Sequence, residues 1–566
     1  MAVVGIDLGT TNSLVSVWQD GQSLIIPNAL GELLTPSVVS IDEHGLVLVG
    51  RAAKDRLVSH PHLTASQFKR LMGTSETLML GRRSFTPEEL SALILRQLKA
   101  DAESFIGEPI TEAVISVPAY FNNHQRTATL NAARLAGLQV ERLINEPTAA
   151  ALAYGIQETE DERRFIVVDL GGGTLDVSIL EKFEDLLEVH ASSGDSFLGG
   201  EDFTAAMLGA VCQKLDLAHQ SLSREEKAHL YRVCDEAKKA LGEQHQVEIT
   251  ATLGGQQRTL TFSRDDFAQC CAALLERISA PVERAVRDAG LARDDFDEVI
   301  LVGGATRMPM VRNFVGRLFG RIPATTIDPD QVVAMGAALQ AALKQRNQSL
   351  RDTVLTDVCP FSLGIEISRD VAGKQTSGFF SILIPRNTVI PASRVDRFYT
   401  VNDNQKQIEL RVFQGEQRLV RNNIQIGSLA VPVPVNKAGH EAVDVRFTYN
   451  INGVLEVQAD VLSTSQRYSL VIQNTTNSLD EKQLAALLKD MEKLKFHPRE
   501  QSANIAVMGE AERMWAEALG DERDYLEQLI QYFEQALDSQ EPRRSETARQ
   551  EVELRLAELR DARGRW

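Results

Sequence analysis

Gly5-Ile6-Asp7-Leu8-Gly9-Thr10-Thr11, near the N-terminus, and Asp169-Leu170-Gly171-Gly172-Gly173-Thr174-Leu175-Asp176, well downstream, share one design. In each, a β-branched run (3–7; 165–169) ends at an aspartate, a turn rich in Gly and Thr follows, and a second strand begins (14–18; 177–180). A glycine turn lets backbone N–H groups approach an anion closely, and Thr hydroxyls add donors. The aspartate at the strand end is placed to hold a cation, usually through water, because Mg²⁺ keeps much of its hydration shell. One such turn alone is an ordinary hairpin. Two of them, a domain apart, predict hairpins that face each other across a triphosphate. The chain has no G-x-x-x-x-G-K-[ST] stretch, so the site is not a P-loop.

Three further segments fit the same site. Residues 299–302 form a strand that ends in Gly303-Gly304, and Ala305-Thr306-Arg307-Met308-Pro309 then opens a helix with Pro near its first turn. A glycine pair lets backbone lie under a nucleoside, and Arg307 could stack on a purine; the plainer alternative is a tight strand-to-helix turn. Asn145-Glu146-Pro147-Thr148-Ala149-Ala150 begins a helix of small residues. Its Glu146 is either a carboxylate near the helix start or a residue that orients attacking water. Lys69, in Phe68-Lys69-Arg70, reads most simply as a solvated surface charge.

Outward from these motifs, short strands (113–117, for example) alternate with helical patterns (87–107, 125–137), an α/β arrangement over residues 1–345. Residues 346–357 read as a linker, polar and charged at first and then partly apolar. From 358 to 477 the pattern is nearly all strand, with period two in 408–412 and 443–447 and a hairpin turn at Asn452-Gly453. From 478 to 566 it is helical: Leu484, Leu487, Leu488, Met491 and Leu494 form one stripe, and Leu526, Leu529, Ile530, Phe533 and Leu537 a second. Such stripes most often pack a bundle.

A chain of 566 residues supports several cores. Its net charge of -18 argues against a nucleic-acid partner, since phosphate backbones need clustered Lys and Arg. No run approaches the roughly eighteen apolar residues of a membrane span, and the N-terminus has no secretory-signal pattern. Five scattered cysteines without a CxxC pair fit reduced thiols and a cytoplasmic location. Cys270 and Cys271 are adjacent, and an apolar helix position explains them most simply.

Taken together, GIDLGTTNS (5–13), FKRLMG (68–73), ISVPAYF (115–121), LINEPTAAALAYG (143–155), VVDLGGGTLDVS (167–178), FLGGEDF (197–203) and LVGGATRMPMV (301–311) resemble the seventy-kilodalton heat-shock chaperones of the DnaK type. DVCPFSLGIE (357–366), NTVIP (387–391) and DNQ…VFQGE (403–416) extend the resemblance through the second half. It implies a multidomain fold: an actin-like, duplicated ribonuclease-H-like α/β ATPase domain, a β-sandwich that binds peptide, and an α-helical lid. The implied activity is hydrolysis of ATP to ADP, coupled to binding and release of extended apolar polypeptide.

Residue by residue, the resemblance implies that Gly9, Thr10, Thr11 and Asn12, with Gly171, Gly172, Gly173 and Thr174, hold the phosphates. Asp7, Asp169 and Asp176 would place Mg²⁺ and potassium. Lys69 would stabilise charge on the transferred phosphoryl group, Glu146 would position the water, and Asp169 and Thr174 would complete the catalytic set. Gly199, Gly200, Glu201, Asp235, Lys238, Gly303, Gly304, Arg307 and Asp330 would line the adenosine. Ile365, Ile367, Val401, Ile408 and Leu410 would form the client pocket. Pro118 and Arg126 match a relay that reports nucleotide state, and Arg142 and Asp357 match positions that engage J-domain partners. A nucleotide-exchange factor is left open.

The sequence also departs from the family pattern. Residues 69–87 are trimmed, Asp235 and Gly242 stand for Glu and Ser, Thr353 and Thr356 stand where the family has apolar linker residues, and Ser368 replaces a Met over the pocket. Ile367 and Val401 are bulkier than usual, and the tail ends in Arg563-Gly564-Arg565-Trp566. These features look most like the specialised bacterial branch named HscC. Two rival readings remain: a sugar or acetate kinase on the same nucleotide fold, which leaves 358–477 without a purpose, and a relative with an idle ATPase, which has no need of Lys69 or Glu146.

Overall fold

In the computed structural model, the described residues are 2–140, 142–155, 162–183, 186–217, 222–253, 256–324, 326–345, 354–371, 374–451, 453–472, 491 and 498–563. Most of the linker (346–353), Asn452, the Leu484–Leu494 stripe apart from Met491, and the last three residues lie outside them. Chain contacts divide the described residues into two compact units, one made of those up to 362 with 385–390 and the other of the remainder.

The first unit is built on two six-stranded sheets that echo one another, as the paired motifs predict. In one, Val3–Asp7 and Asn12–Gln19 form an antiparallel hairpin, and Glu112–Val117 joins Val3–Asp7 in parallel. In the other, Glu162–Leu170 and Leu175–Phe183 form the hairpin, and Glu298–Val302 adds in parallel beside Glu162–Leu170. Strands buried on both faces read as continuous apolar runs rather than alternations, and Ile166, Val167, Val168, Ile300 and Val302 have no measurable exposure. The helices Glu146–Gly155 and Val332–Lys344 pack tightly because their contact surface is Ala and Gly. A β-carbon on Gly336 would lie 1.8 Å from the Ala149 carbonyl oxygen, and one on Gly5 would lie 2.1 Å from the Ala338 nitrogen. Residues 354–357, which read from sequence as the end of the linker, form a strand together with Val358. It pairs in parallel with Leu186–Glu188 and antiparallel with Val389–Ile390. Val354, Leu355 and Val358 provide the β-branched and apolar character such a strand needs.

The second unit holds two four-stranded sheets. Lys374–Ile384, Leu363–Val371, Gln407–Gln414 and Ile424–Pro432 make one; Ala392–Tyr399, Ala442–Tyr449, Leu455–Val461 and Gln466–Ile472 make the other. Val443, Val445 and Phe447 alternate inward opposite Val457, Ala459 and Val461. Helices Ser502–Glu517, Asp521–Asp538 and Pro542–Arg563 share a core of Met514, Leu526, Phe533, Val552 and Leu556. The Leu526–Leu537 stripe therefore packs a bundle.

Candidate active site

A cleft of about 680 Å³ opens in the first unit, lined by both glycine turns. Asp7, Gly9, Thr10, Thr11 and Asn12 line it on one side, and Asp169, Gly171, Gly172 and Thr174 on the other. Lys69, Glu146, Gly200, Glu201, Asp235, Lys238, Gly303, Gly304, Arg307 and Asp330 complete the lining among the residues singled out from sequence. Gly173, Gly199 and Asp176 are not in direct contact with the open space, but each packs against a turn that is. A β-carbon on Gly199 would sit 2.4 Å from the Gly173 nitrogen. At Gly172 it would sit 1.9 Å from the Thr11 hydroxyl, so the two turns meet at a distance only glycine allows. Gly303 has φ 83° and passes close under the Leu170 carbonyl, which no L side chain tolerates without strain.

Lys69 is not the solvated charge that its local sequence suggests. It is 6% exposed, and its Nζ donates to Glu146 Oε1 at 2.8 Å. Glu146 starts its helix directly after the strand Leu143–Asn145, which aims its carboxylate at the cleft. Asp7 is half-buried nearby, and Asp169 and Asp176 are buried. Burial, then the neighbouring Glu146, pushes the Asp7 and Asp176 carboxyls up to about 7. Asp169 is driven in the same direction by burial, by Glu146 and by its fellow aspartates. Burial opposes the charge on Lys69, but attraction to Glu146 and Asp7 outweighs it and raises the ammonium above its ordinary range.

Four carboxyl groups thus surround one lysine, an arrangement short of positive charge. Asp176 makes the shortage concrete. Its Oδ1 accepts from the Tyr120 N–H at 2.9 Å, while its Oδ2 is buried with no hydrogen-bond partner. Among the described residues no group of three acidic, Cys or His side chains is close enough to cage a metal directly. The donor set therefore suits a hydrated cation that shares its charge with phosphate oxygens.

Three of the residues expected along the adenosine line the cleft but have protein partners of their own. Glu201 faces the cleft, but its carboxylate accepts from Thr11 Oγ1 at 3.2 Å, from Gln67 Nε2 at 2.5 Å and from the Tyr231 hydroxyl, rather than standing free for an adenosine. Arg307 is held by Asp328 at 2.5 Å and Asp330 at 2.8 Å, so both its planar face and its charge are already positioned. Lys238 donates to the Gly200 carbonyl at 3.0 Å and to the Thr204 hydroxyl at 2.7 Å. Gln67 and Tyr231 escaped the sequence reading because they lie 134 and 30 residues from the Glu201 that unites them. The left-handed φ of 60° at Gln67, unusual outside glycine, marks the spot only in three dimensions.

A hydrogen-bonded chain leaves the cleft floor. Asn145, beside Glu146, accepts from Arg126 at 2.7 Å and donates to Asp357 Oδ2 at 2.8 Å. Arg126 also donates to the Ala119 and Phe121 carbonyls just after Pro118. Burial raises the Asp357 carboxyl, against the pull of Arg126 and Arg142. Tyr120, whose N–H bonds Asp176, packs against Phe361 with ring centroids 4.5 Å apart and planes tilted by 47°. Neither Asn145 nor Tyr120 was given a role from sequence, although each lies within a motif that the sequence displays.

In the second unit, Ile365 pairs with Val412 across neighbouring strands. Period-two alternation then puts Ile365, Ile367, Ile408 and Leu410 on one face. Ile365 and Leu410 are buried, Ile367 and Ile408 are half-buried, and Val401 is 37% exposed.

Residues 3–80 and 75–563 match the protein family described as Hsp70 protein. The chain is 39% identical over 525 residues to the chaperone protein DnaK of Thermotoga petrophila, and equally so to that of Thermotoga maritima. These alignments cover 90% of this chain and 86% of each relative.

Proposed function

The chain belongs to the Hsp70 family, and on that premise we propose that it is an ATP-dependent molecular chaperone. Its first unit hydrolyses ATP to ADP, and the hydrolysis switches the β-sandwich between weak and tight grip on extended apolar polypeptide. The observation that carries this reading is the buried Lys69–Glu146 pair beside Asp7, Asp169 and Asp176, between two glycine turns.

Phosphoryl transfer is mostly positioning and electrostatics. Thr10, Thr11, Asn12 and Thr174 offer hydroxyl, amide and backbone donors from both sides of the cleft to the β- and γ-phosphates. Lys69 meets the charge that develops on the transferred group. Glu146, fixed by Lys69, accepts a hydrogen bond from the attacking water and aims it. Asp7, Asp169 and Asp176 are the residues that would hold Mg²⁺ and potassium through water, and the cations neutralise phosphate charge when bound. The unpartnered Asp176 oxygen and the surplus of carboxyl groups support that assignment. Gly304, Lys238 and the fixed Arg307 flank the adenosine.

Ile365, Ile367, Val401, Ile408 and Leu410 grip a client side chain, while main-chain bonds hold its extended backbone. Burying one Leu gains only about 1.5–3 kcal/mol, so the grip is reversible. Arg142 and Asp357 are the contact positions for a J-domain partner. The trimmed 69–87 segment and the altered linker support a place in the HscC-like branch, with action in the cytoplasm.

Single-turnover hydrolysis, with and without an unstructured Leu-containing peptide, tests the proposal in wild type and Thr174→Ala. Stimulation by peptide that the variant loses supports a coupled cycle. Hydrolysis indifferent to every peptide would reduce the protein to an ATPase with an uncoupled β domain.

A further inference from the structure

Four of the five cysteines converge in one core of the first unit. Cys212 lies on the helix Gly200–Lys214 and Cys234 on Arg224–Ala240. Cys270 ends the helix Arg264–Cys270, and Cys271 stands at the break before Ala272–Asp288, with φ -101° and ψ 4°. The sulfurs of Cys270 and Cys271 are 3.8 Å apart. Cys270 is partly exposed, whereas Cys212, Cys234 and Cys271 are buried. A partly accessible thiol poised next to a second one is the arrangement redox-sensing cysteines use. Cys270 is the last residue of its helix, and Cys271 is the single-residue break before the next one.

The surroundings distinguish the members of the cluster. The hydrogen bond from Cys271 holds the Cys270 thiol below its ordinary range, and the same contact, with burial, pushes Cys271 up. Burial pushes Cys234 up to about 12, which leaves it inert. The charge of Asp266 opposes a Cys270 thiolate, and Lys214, bonded to Asp266 at 2.6 Å, partly offsets it. Cys271 in turn lies in the field of Lys238, and Cys234 directly precedes Asp235; both Lys238 and Asp235 line the cleft.

We propose that Cys270 and Cys271 form a redox-responsive thiol pair that a hydroperoxide closes to a disulfide and a dithiol reductant reopens, and that the closed form holds nucleotide less tightly. The Cys270 thiolate attacks the peroxide: an S–O bond forms, the O–O bond breaks, and the departing alkoxide or hydroxide takes a proton. The Cys271 sulfur then attacks the sulfenic sulfur, an S–S bond forms, the S–O bond breaks, and hydroxide leaves with the Cys271 proton as water. Two thiols are oxidised by two electrons and the peroxide is reduced by two. Adjacent Cα atoms, about 3.8 Å apart, are closer than the usual span of a disulfide. The closed ring is therefore strained and easily reduced, as suits a reversible device. Its closure must shift the helix break that neighbours Lys238.

The effect on affinity rests on the nucleotide reading of the cleft; formation of the bond does not. The full-length chain is treated with a small excess of hydrogen peroxide and digested with trypsin without reduction. The peptide 265–277 carries Cys270 and Cys271 and no other cysteine. It is expected to lose two hydrogens and regain them with dithiothreitol, while Mg·ADP affinity drops several-fold and recovers. Cys270→Ser is expected to keep its affinity under peroxide. Cys271→Ala is expected to leave a sulfenic acid on Cys270 that dimedone traps. Intact thiols, a cross-link to the peptide that carries Cys234, or equal loss of affinity in Cys270→Ser would each overturn the proposal. A disulfide without any change in affinity would overturn its regulatory half. If the reduced protein binds no nucleotide, the reading of the cleft fails while the mass measurement still judges the thiol pair.

Discussion

Lys69 has a carboxylate at 2.8 Å, lies in the field of Asp7 and Asp169, and is 6% exposed. Replacing it with Ala removes the cation that faces both Glu146 and the transferred phosphoryl group. Loss of one such stabilising group costs about 10²–10³ in rate, so single-turnover hydrolysis by Lys69→Ala should fall by about that factor while nucleotide binding persists; hydrolysis within threefold of wild type, about 0.65 kcal/mol, would remove Lys69 from the chemistry. The aspartates make a pH prediction of definite sign. Asp7 and Asp176 have folded values near 7, above the ordinary 3.8. A group whose folded value is raised contributes stability that is complete below its unfolded value and lost as pH rises through the folded one. Without cations and nucleotide, the stability contributed by these two groups should therefore fall between about pH 4 and about pH 7. Asp176→Asn should flatten part of that slope in thermal melts taken in chelator; parallel slopes for the two proteins would show that burial of Asp176 is not the cause.

The helices and strands around the site differ in how far their sequences announce them. The two hairpins were legible because strand, aspartate and glycine turn are contiguous, and their partners follow within a few residues. Glu146 and Gly303 were legible for the same reason. The burial of Lys69 was not, because the carboxylate that holds it lies 77 residues away. The strand at 354–358 was hidden similarly: Thr356 and Asp357 look like tether residues until Leu186–Glu188 and Val389–Ile390 provide neighbours. That strand carries a prediction. Asp357 is the far end of the Arg126–Asn145 chain and touches nothing catalytic. Asp357→Asn should leave basal hydrolysis unchanged and weaken its stimulation by peptide; undiminished stimulation would sever Asp357 from coupling. The paired small-residue helices carry another. Gly336→Ala places a β-carbon against the Ala149 carbonyl and should cost at least about 1–3 kcal/mol of stability in denaturant titrations, as overpacking does.

At the scale of the molecule, two compact units with separate cores should respond to different ligands. The candidate nucleotide site lies wholly within the first, and the candidate client residues lie in the second. A ligand that binds only the folded state of one unit stabilises it by about 2.7 kcal/mol at a hundred times its dissociation constant. Calorimetry on the full chain should resolve two unfolding transitions. Mg·ADP should raise one of them, and an extended apolar peptide should raise the other. The raised Asp7 and Asp176 carboxyls add a condition: the transition that moves with Mg·ADP must also be the one whose midpoint falls with rising pH in chelator. A single transition raised by either ligand would mean that the units unfold as one cooperative body, and the switch would then have to be a redistribution between states of the whole chain. Two transitions with the ligand responses exchanged would place the nucleotide outside the cleft and overturn the site itself.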